Sequence, residues 1–159
     1  AEALIMPNTD TPVIKEWVEK LREVVQNPDR STYFIGHSIG GQAIMRFLAG
    51  LPGGSKIGGV VFLASWFVLK ALEDEEAEKI AKPWVDTPID FESLKQKTSH
   101  YVLILSDDDP WVPVDTTKKQ FEKNVGAKVI IEHHKGHFTE EDGITEVPMV
   151  IKEVEKMAR

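Results

Sequence analysis

The stretch FIGHSIGGQAIM, residues 34–45, contains a Gly-x-Ser-x-Gly motif at positions 36–40. The residues just before it, STYFI (31–35), are mostly β-branched or aromatic, which predicts a buried strand. Residues 41–51 suit a helix that stops at a Pro-Gly-Gly turn. A strand, a sharp turn and a helix in this order make Ser38 a candidate nucleophile. The alternative is a serine that only caps the helix.

The turn at Ser38 makes a specific geometric prediction. Because the chain must pass from strand to helix within a few residues, we expect Gly36 and Gly40 to leave room for the two elements. The Ser38 hydroxyl would then project from the carboxyl edge of the sheet. The amide of Ile39 would lie at the start of the helix, where it can bind an oxyanion.

Strands and helices alternate along the rest of the chain. Apolar runs predict three further strands, at 57–65, 100–105 and 127–133, and amphipathic patterns predict helices at 11–26, at 115–125 and near the C-terminus. We expect Thr11 and Asp115 to cap the first two of these helices, and Gly126 to end the second. The alternation predicts an α/β domain over residues 1–159, of about the size of flavodoxin, with a parallel sheet and helices on both faces.

Composition excludes several classes of function. Lysine and arginine number 19 against 26 aspartates and glutamates, a formal charge of −7 that argues against nucleic-acid binding. The chain has no cysteine, so thiol nucleophiles, disulfides and cysteine metal sites are excluded. This is compatible with a reducing cytoplasm, which we expect as the location. The longest apolar run, residues 60–69, is too short to span a membrane.

An acidic loop follows the predicted strand at 100–105. It reads SDDDPWVP (106–113). The histidine that acts as base for a serine nucleophile needs a carboxylate to orient it. In hydrolases with this turn, the acid and then the histidine follow the serine along the chain. The spacing to Val112 and Pro113 favours Asp109 as the acid, and Asp108 remains the alternative. Because neighbouring carboxylates raise one another's pKa, we expect a second aspartate to lie in water.

His137 is the best candidate for the base. The chain contains five histidines, His37, His100, His133, His134 and His137. Only His137 lies in a glycine-containing loop after the last predicted strand, in the order that the chemistry requires. We expect His37 to point away from the substrate. The predicted chemistry is attack of Ser38 on an acyl carbonyl, with His137 as base and Asp109 fixing its tautomer, through an acyl-enzyme intermediate.

A metal site is one alternative to this chemistry. His133 and His137 are four residues apart, a spacing that suits zinc on a helix. Their segment, VIIEHHKGH, is predicted to be strand and then loop, so the helical argument fails. We therefore expect no functional metal at these histidines.

A protein-interaction module without catalysis is the second alternative. Residues 66–98 contain four large aromatic side chains that could line a pocket or meet a partner, Trp66, Phe67, Trp84 and Phe91. We expect at least two of them to lie in the core. Since hydrolases place a cap at this point of the chain, residues 66–98 are also the expected cap or lid. A protein partner is thus conceivable, but nothing in the sequence indicates one.

Taken together, the motifs resemble those of a known family. They are MPN (6–8), Trp17, GHSIGG (36–41), GGVVFLAS (58–65), SDDDPWVP (106–113) and KGHFTEEDG (135–143). The chain is similar to the small bacterial α/β-hydrolases of the YdeN type, related to the retinoblastoma-binding-protein-nine serine hydrolases. The resemblance implies an α/β-hydrolase-like sheet, with Ser38 as nucleophile, Asp109 as acid and His137 as base. It also implies esterase-type activity on a small acyl substrate and no cofactor.

The chain departs from the family pattern at its start. Family members have an earlier strand that ends in a His-Gly motif and supplies the second oxyanion donor. Here Ala1 stands five residues before Met6 of the MPN motif. The expectation is therefore that an N-terminal segment is missing from this sequence, and that the strand before Ser38 has an open edge.

Overall fold

A parallel four-stranded sheet forms the centre of the structure, a computed structural model that describes residues 1–70, 72 and 74–159. The strands are β1 (Tyr33–His37), β2 (Gly59–Leu63), β3 (Tyr101–Ser106) and β4 (Lys128–Glu132). They lie side by side in the order β1-β2-β3-β4, and every pair is parallel. All four predicted strands are present close to their predicted positions. The parallel sheet brings the carboxyl ends of the strands, and the loops that follow them, to one edge.

Six helices are found in the described part of the chain. They are α1 (Ile14–Val24), α2 (Ile39–Ala49), α3 (Glu75–Asp86), α4 (Phe91–Lys95), α5 (Val114–Val125) and α6 (Pro148–Met157). None of the described helices is long and apolar enough to cross a membrane.

The two faces of the sheet carry separate apolar cores. Val60 and Phe62 of β2 point into a core that also contains buried side chains of α1, α2 and α5. Val61 and Leu63, one residue out of phase, point into a second core with Val150 of α6. Side chains alternate between faces along a strand, so a fully buried strand must be covered on both sides. The prediction of helices on both faces is confirmed.

Both predicted N-caps are wrong. Helix α1 begins at Ile14 after an extended Val13, so Thr11 lies two residues before the capping position, in a turn where its amide donates to the Asn8 carbonyl at 3.0 Å. Helix α5 begins at Val114, with Pro113 at the capping position, and Asp115 lies inside its first turn. Gly126 does end α5, in the left-handed conformation (φ 68°) that favours glycine.

Helices α3 and α4 lie between β2 and β3, in the segment predicted as a cap. Trp66 and Trp84 of this segment are buried, which confirms that at least two of its aromatic residues are core. The Trp84 indole donates to the Pro12 carbonyl at 3.0 Å, and its ring meets that of Trp17 edge to face. Arg46 of α2 donates to the Trp84 carbonyl at 2.9 Å. The end of α3 is therefore anchored to α2 and to the chain before α1.

Candidate active site

Ser38 occupies a strained turn between β1 and α2. Its backbone has φ 50° and ψ −122°, a region that residues with a side chain rarely adopt. The Ser38 amide donates to the Leu63 carbonyl at 2.8 Å, and the Ser65 hydroxyl donates to the Ser38 carbonyl at 3.0 Å. These bonds hold the strained residue against the carboxyl end of β2. The structure therefore has the turn that the motif predicts.

The glycines that this turn requires are Gly36 and Gly41. A Cβ on Gly36 would lie 2.7 Å from the Gly41 nitrogen, and a Cβ on Gly41 would collide with the Ser65 side chain. A Cβ on Gly40 would meet nothing within 4 Å. The prediction that Gly40 leaves room for the strand and the helix to approach each other is wrong. The close contact occurs one residue later, where Gly41 of α2 packs against Ser65 and Phe62.

This difference between neighbouring glycines can be tested with alanine. We expect Gly41→Ala to lower the free energy of unfolding by about 1–3 kcal/mol, because the added methyl overpacks the contact with Ser65. Gly40→Ala should leave it unchanged or raise it by up to about 1 kcal/mol, because alanine is the better helix former. Urea denaturation of both variants measures the difference. Equal losses at the two positions would contradict it.

Asp109 is the aspartate that contacts His137. It is 1% exposed, and its Oδ2 lies 2.8 Å from His137 Nδ1. Its Oδ1 accepts the amides of Trp111 and Val112, both at 2.9 Å. Every oxygen of this buried carboxylate therefore has a partner, and the imidazole is held through Nδ1 with Nε2 left for other contacts.

The other two aspartates of the run bind the same loop at different positions. Asp108 Oδ1 accepts from the Ser106 hydroxyl at 2.7 Å and from the Gly136 amide at 2.9 Å. Asp107 Oδ2 lies 2.5 Å from His133 Nδ1. The geometry thus pairs His137 with Asp109 and leaves Asp108, the alternative, one residue away.

The pKa values of these two aspartates differ from the expectation. Both are exposed, as expected of the aspartates that do not contact His137. The hydrogen bond from the Ser106 hydroxyl, and then that from the Gly136 amide, lowers the pKa of Asp108. The hydrogen bond with His133 lowers the pKa of Asp107 and raises that of His133. The expectation of raised pKa values is wrong for these two aspartates, because hydrogen bonds to the charged carboxylates lower them.

Residues 133–138, which we call the histidine loop, are held from both sides. Ser106 Oγ accepts the Lys135 amide at 2.9 Å, so Ser106 joins the three aspartates in binding this loop. From the other side, Asp142 Oδ2 accepts the His137 amide at 2.8 Å. Within the loop, His134 and Phe138 have positive φ angles of 54° and 58°. These contacts fix a strained backbone around His137.

His37 does not point away from the site, contrary to expectation. Its Nε2 lies 2.7 Å from the His137 carbonyl, and the two imidazole rings have centroids 5.1 Å apart. Burial lowers the pKa of His37, which favours the neutral ring. A neutral His37 donates to that carbonyl through Nε2 and places no positive charge beside His137.

Ser38 and His137 line one cavity of about 380 Å³. The Trp66 indole donates to Ser38 Oγ at 3.3 Å. The amide of Ile39 is the first of α2 and belongs to the N–H groups that have no partner within a helix. The remaining walls are apolar: Trp66, Leu69 and Leu72 come from the segment after β2, Ala77, Ile80 and Ala81 from α3, and Trp111 from the loop after β3.

Sequence reasoning missed Ser106 and Asp142 as neighbours of the site, and it named Trp66 as a residue that could line a pocket without foreseeing its hydrogen bond to Ser38. Parallel pairing offered a signal for two of them. Trp66 follows β2 and Ser106 ends β3, so both lie at the edge of the sheet that holds Ser38. Asp142 contacts the histidine loop through a local turn with Thr139, which the sequence does not distinguish from other acidic turns.

The metal alternative has no support from His133 and His137. Among the described residues, the one cluster whose atoms lie close enough for a shared ion is Asp107, Asp108 and His134, all exposed. His133 is paired with Asp107 and His137 with Asp109. The spacing of these two histidines therefore reflects separate contacts with the acidic run.

Comparison with known proteins identifies the family. A family model described as serine hydrolase matches residues 2–156. The chain belongs to this serine hydrolase family, and it is a hydrolase with an α/β-hydrolase-like fold.

Particular relatives agree with this assignment. YdeN of Bacillus subtilis, named as a hydrolase, is 28% identical over 150 residues, which cover 94% of this chain and 76% of YdeN. The crystal structure of the B. subtilis ydeN product matches with a TM-score of 0.86 at 26% identity, over 98% of this chain and 80% of the other. A YdeN-like hydrolase from Pectobacterium atrosepticum shares the fold, with a TM-score of 0.60 at 17% identity, over 93% of this chain and 71% of the other.

Proposed function

We propose that this protein is a carboxylesterase-type serine hydrolase that cleaves a small acyl ester through Ser38, His137 and Asp109. The observation that carries the proposal is the buried pair of Asp109 and His137, at 2.8 Å, which borders the same cavity as the strained Ser38. A strained serine, an imidazole and a buried carboxylate in one place are the parts that acyl transfer needs.

The acylation step uses each of these groups. His137 Nε2 takes the proton of the Ser38 hydroxyl while Oγ attacks the ester carbonyl, and the Ile39 amide stabilises the oxyanion. Trp66 occupies a lone pair of Oγ and leaves the hydroxyl proton free for His137. The carbon–oxygen bond to the alcohol then breaks, and the imidazolium returns its proton to the leaving alcohol.

Deacylation repeats the same chemistry with water. His137 takes a proton from a water molecule, the hydroxide attacks the acyl-enzyme, and Ser38 leaves with the proton from the imidazolium. Asp109 keeps Nδ1 protonated throughout, so that Nε2 remains the basic nitrogen. No metal or organic cofactor enters either step of the proposal.

A fluorophosphonate probe tests the nucleophile directly. Attack by an activated serine expels fluoride and leaves a phosphonyl group on Oγ, so we expect one adduct in the intact mass of the wild-type protein. The adduct should be absent from Ser38→Ala and present in Ser99→Ala, which removes an exposed hydroxyl elsewhere. A folded wild-type protein without an adduct would refute the proposal and favour the interaction module.

A further inference from the structure

The cavity beside Ser38 is lined mostly by apolar side chains. Apart from the indoles of its tryptophans, its polar side chains are those of His37, Ser38 and His137. None of the described residues that line it is a lysine, arginine, aspartate or glutamate. A charged group that entered this cavity would lose its hydration without a partner, which is strongly unfavourable. The walls therefore select against charge in the part of the substrate that they contact.

Part of the cavity wall is built by small side chains on α3. Ala77 and Ala81 are four residues apart and lie on one face of this helix, with Ile80 beside them. Larger residues at either alanine would project into the cavity. Its volume of about 380 Å³ is near the lower end of the range for ligand pockets, about 300–1,000 Å³.

We propose that this cavity is an acyl pocket for uncharged, apolar acyl chains of short to medium length, and that Ala77 and Ala81 set its depth. The inference rests on the proposed function and adds the substrate class. Each methylene that enters an apolar pocket leaves water, so kcat/KM should rise by about fourfold per methylene until the pocket is full. Longer chains should gain nothing further.

A series of p-nitrophenyl esters tests the chain preference. We expect kcat/KM to rise from acetate through butyrate to hexanoate and to stop rising before dodecanoate. The half ester of adipic acid has the same six carbons as hexanoate and ends in a carboxylate. It should be at least about tenfold poorer than hexanoate, because the carboxylate has no cation to meet in the pocket.

Leucine substitutions on α3 test the depth of the pocket. Ala81→Leu and Ala77→Leu should lower kcat/KM for hexanoate by about tenfold or more and leave acetate within about threefold, since the added side chain fills the space of the distal methylenes. Ala81 is buried and Ala77 is half-buried, so Ala77→Leu provides the test if Ala81→Leu fails to fold. Lys79→Leu adds the same side chain at an exposed position of α3 and should match the wild type.

The outcomes separate this inference from the proposed function. A kcat/KM that is independent of chain length, or equal for hexanoate and the adipate half ester, would overturn the acyl pocket. It would not contradict the proposed hydrolase activity. Equal losses on acetate and hexanoate in both leucine variants would also overturn the acyl pocket. Failure to cleave any of the esters, with no fluorophosphonate adduct, would overturn the proposed function and this inference with it.

Discussion

Replacing Ser38 by glycine should abolish ester hydrolysis and make the protein more stable. Loss of the nucleophile should lower kcat by on the order of 10⁴–10⁶. The backbone at Ser38 (φ 50°, ψ −122°) is one that glycine adopts without steric cost, and such strain costs about 1–3 kcal/mol in other residues. After the entropy cost of a glycine, about 0.5–1 kcal/mol, the free energy of unfolding should rise by about 1 kcal/mol.

Alanine at the same position separates the two effects. Ser38→Ala loses the hydroxyl but keeps the strain, so its activity should fall as far as that of Ser38→Gly while its stability stays near the wild type. Thermal unfolding measures the difference, which should be about 2–4 °C between the two variants. A Ser38→Gly protein no more stable than Ser38→Ala would show that the turn is not strained. Wild-type turnover in either variant would exclude Ser38 as the nucleophile.

Replacing Asp109 by asparagine should lower kcat by on the order of 10⁴. An asparagine keeps the oxygen that accepts the amides of Trp111 and Val112, so the loop should retain its shape. Its NH₂ group would replace Oδ2 and face His137 Nδ1. Two donors cannot bond each other, so the imidazole would carry its proton on Nε2 and could no longer accept one from Ser38.

Asp108→Asn is the matched control for this prediction. Both hydrogen bonds of Asp108, from the Ser106 hydroxyl and the Gly136 amide, go to Oδ1, which an asparagine retains. We expect its kcat to stay within about threefold of the wild type, because neither bond reaches the imidazole of His137. Steady-state kinetics on one ester compares the two variants. If Asp108→Asn were the more damaged enzyme, the acid would be Asp108.

The fold was predictable because its strands are apolar on both faces. Runs such as 57–65 and 100–105 have no polar alternation, which indicates strands covered by helices on both sides, and β2 and β3 are buried in this way. The motif around Ser38 was predictable because strand and helix flank it directly. Helix starts were harder to predict from the sequence, since the chain makes a turn from Asn8 to Thr11 and α1 begins only at Ile14.

Contacts between distant segments limited prediction of the site. The sequence could not show whether Gly40 or Gly41 is the glycine that the turn requires. The answer depends on which of them packs against Ser65, in the loop after β2. The hydrogen bond from Trp66 to Ser38 depends on the position of this same loop. His37 was misplaced because the neighbour that orients it, the carbonyl of His137, lies 100 residues away in the chain. The residue types indicated the chemistry, while their partners were set by packing.

The contacts between the acidic run and the histidine loop constrain how this site can evolve. Ser106, Asp107, Asp108 and Asp109 each bind a different part of the histidine loop. A substitution within the run removes the contacts of one residue and leaves those between the other residues and the loop in register. An insertion or deletion of a single residue there would shift every later side chain onto the wrong neighbour and would part Asp109 from His137. Homologues should therefore tolerate substitutions at residues 107 and 108 far more readily than an insertion or deletion within residues 106–109.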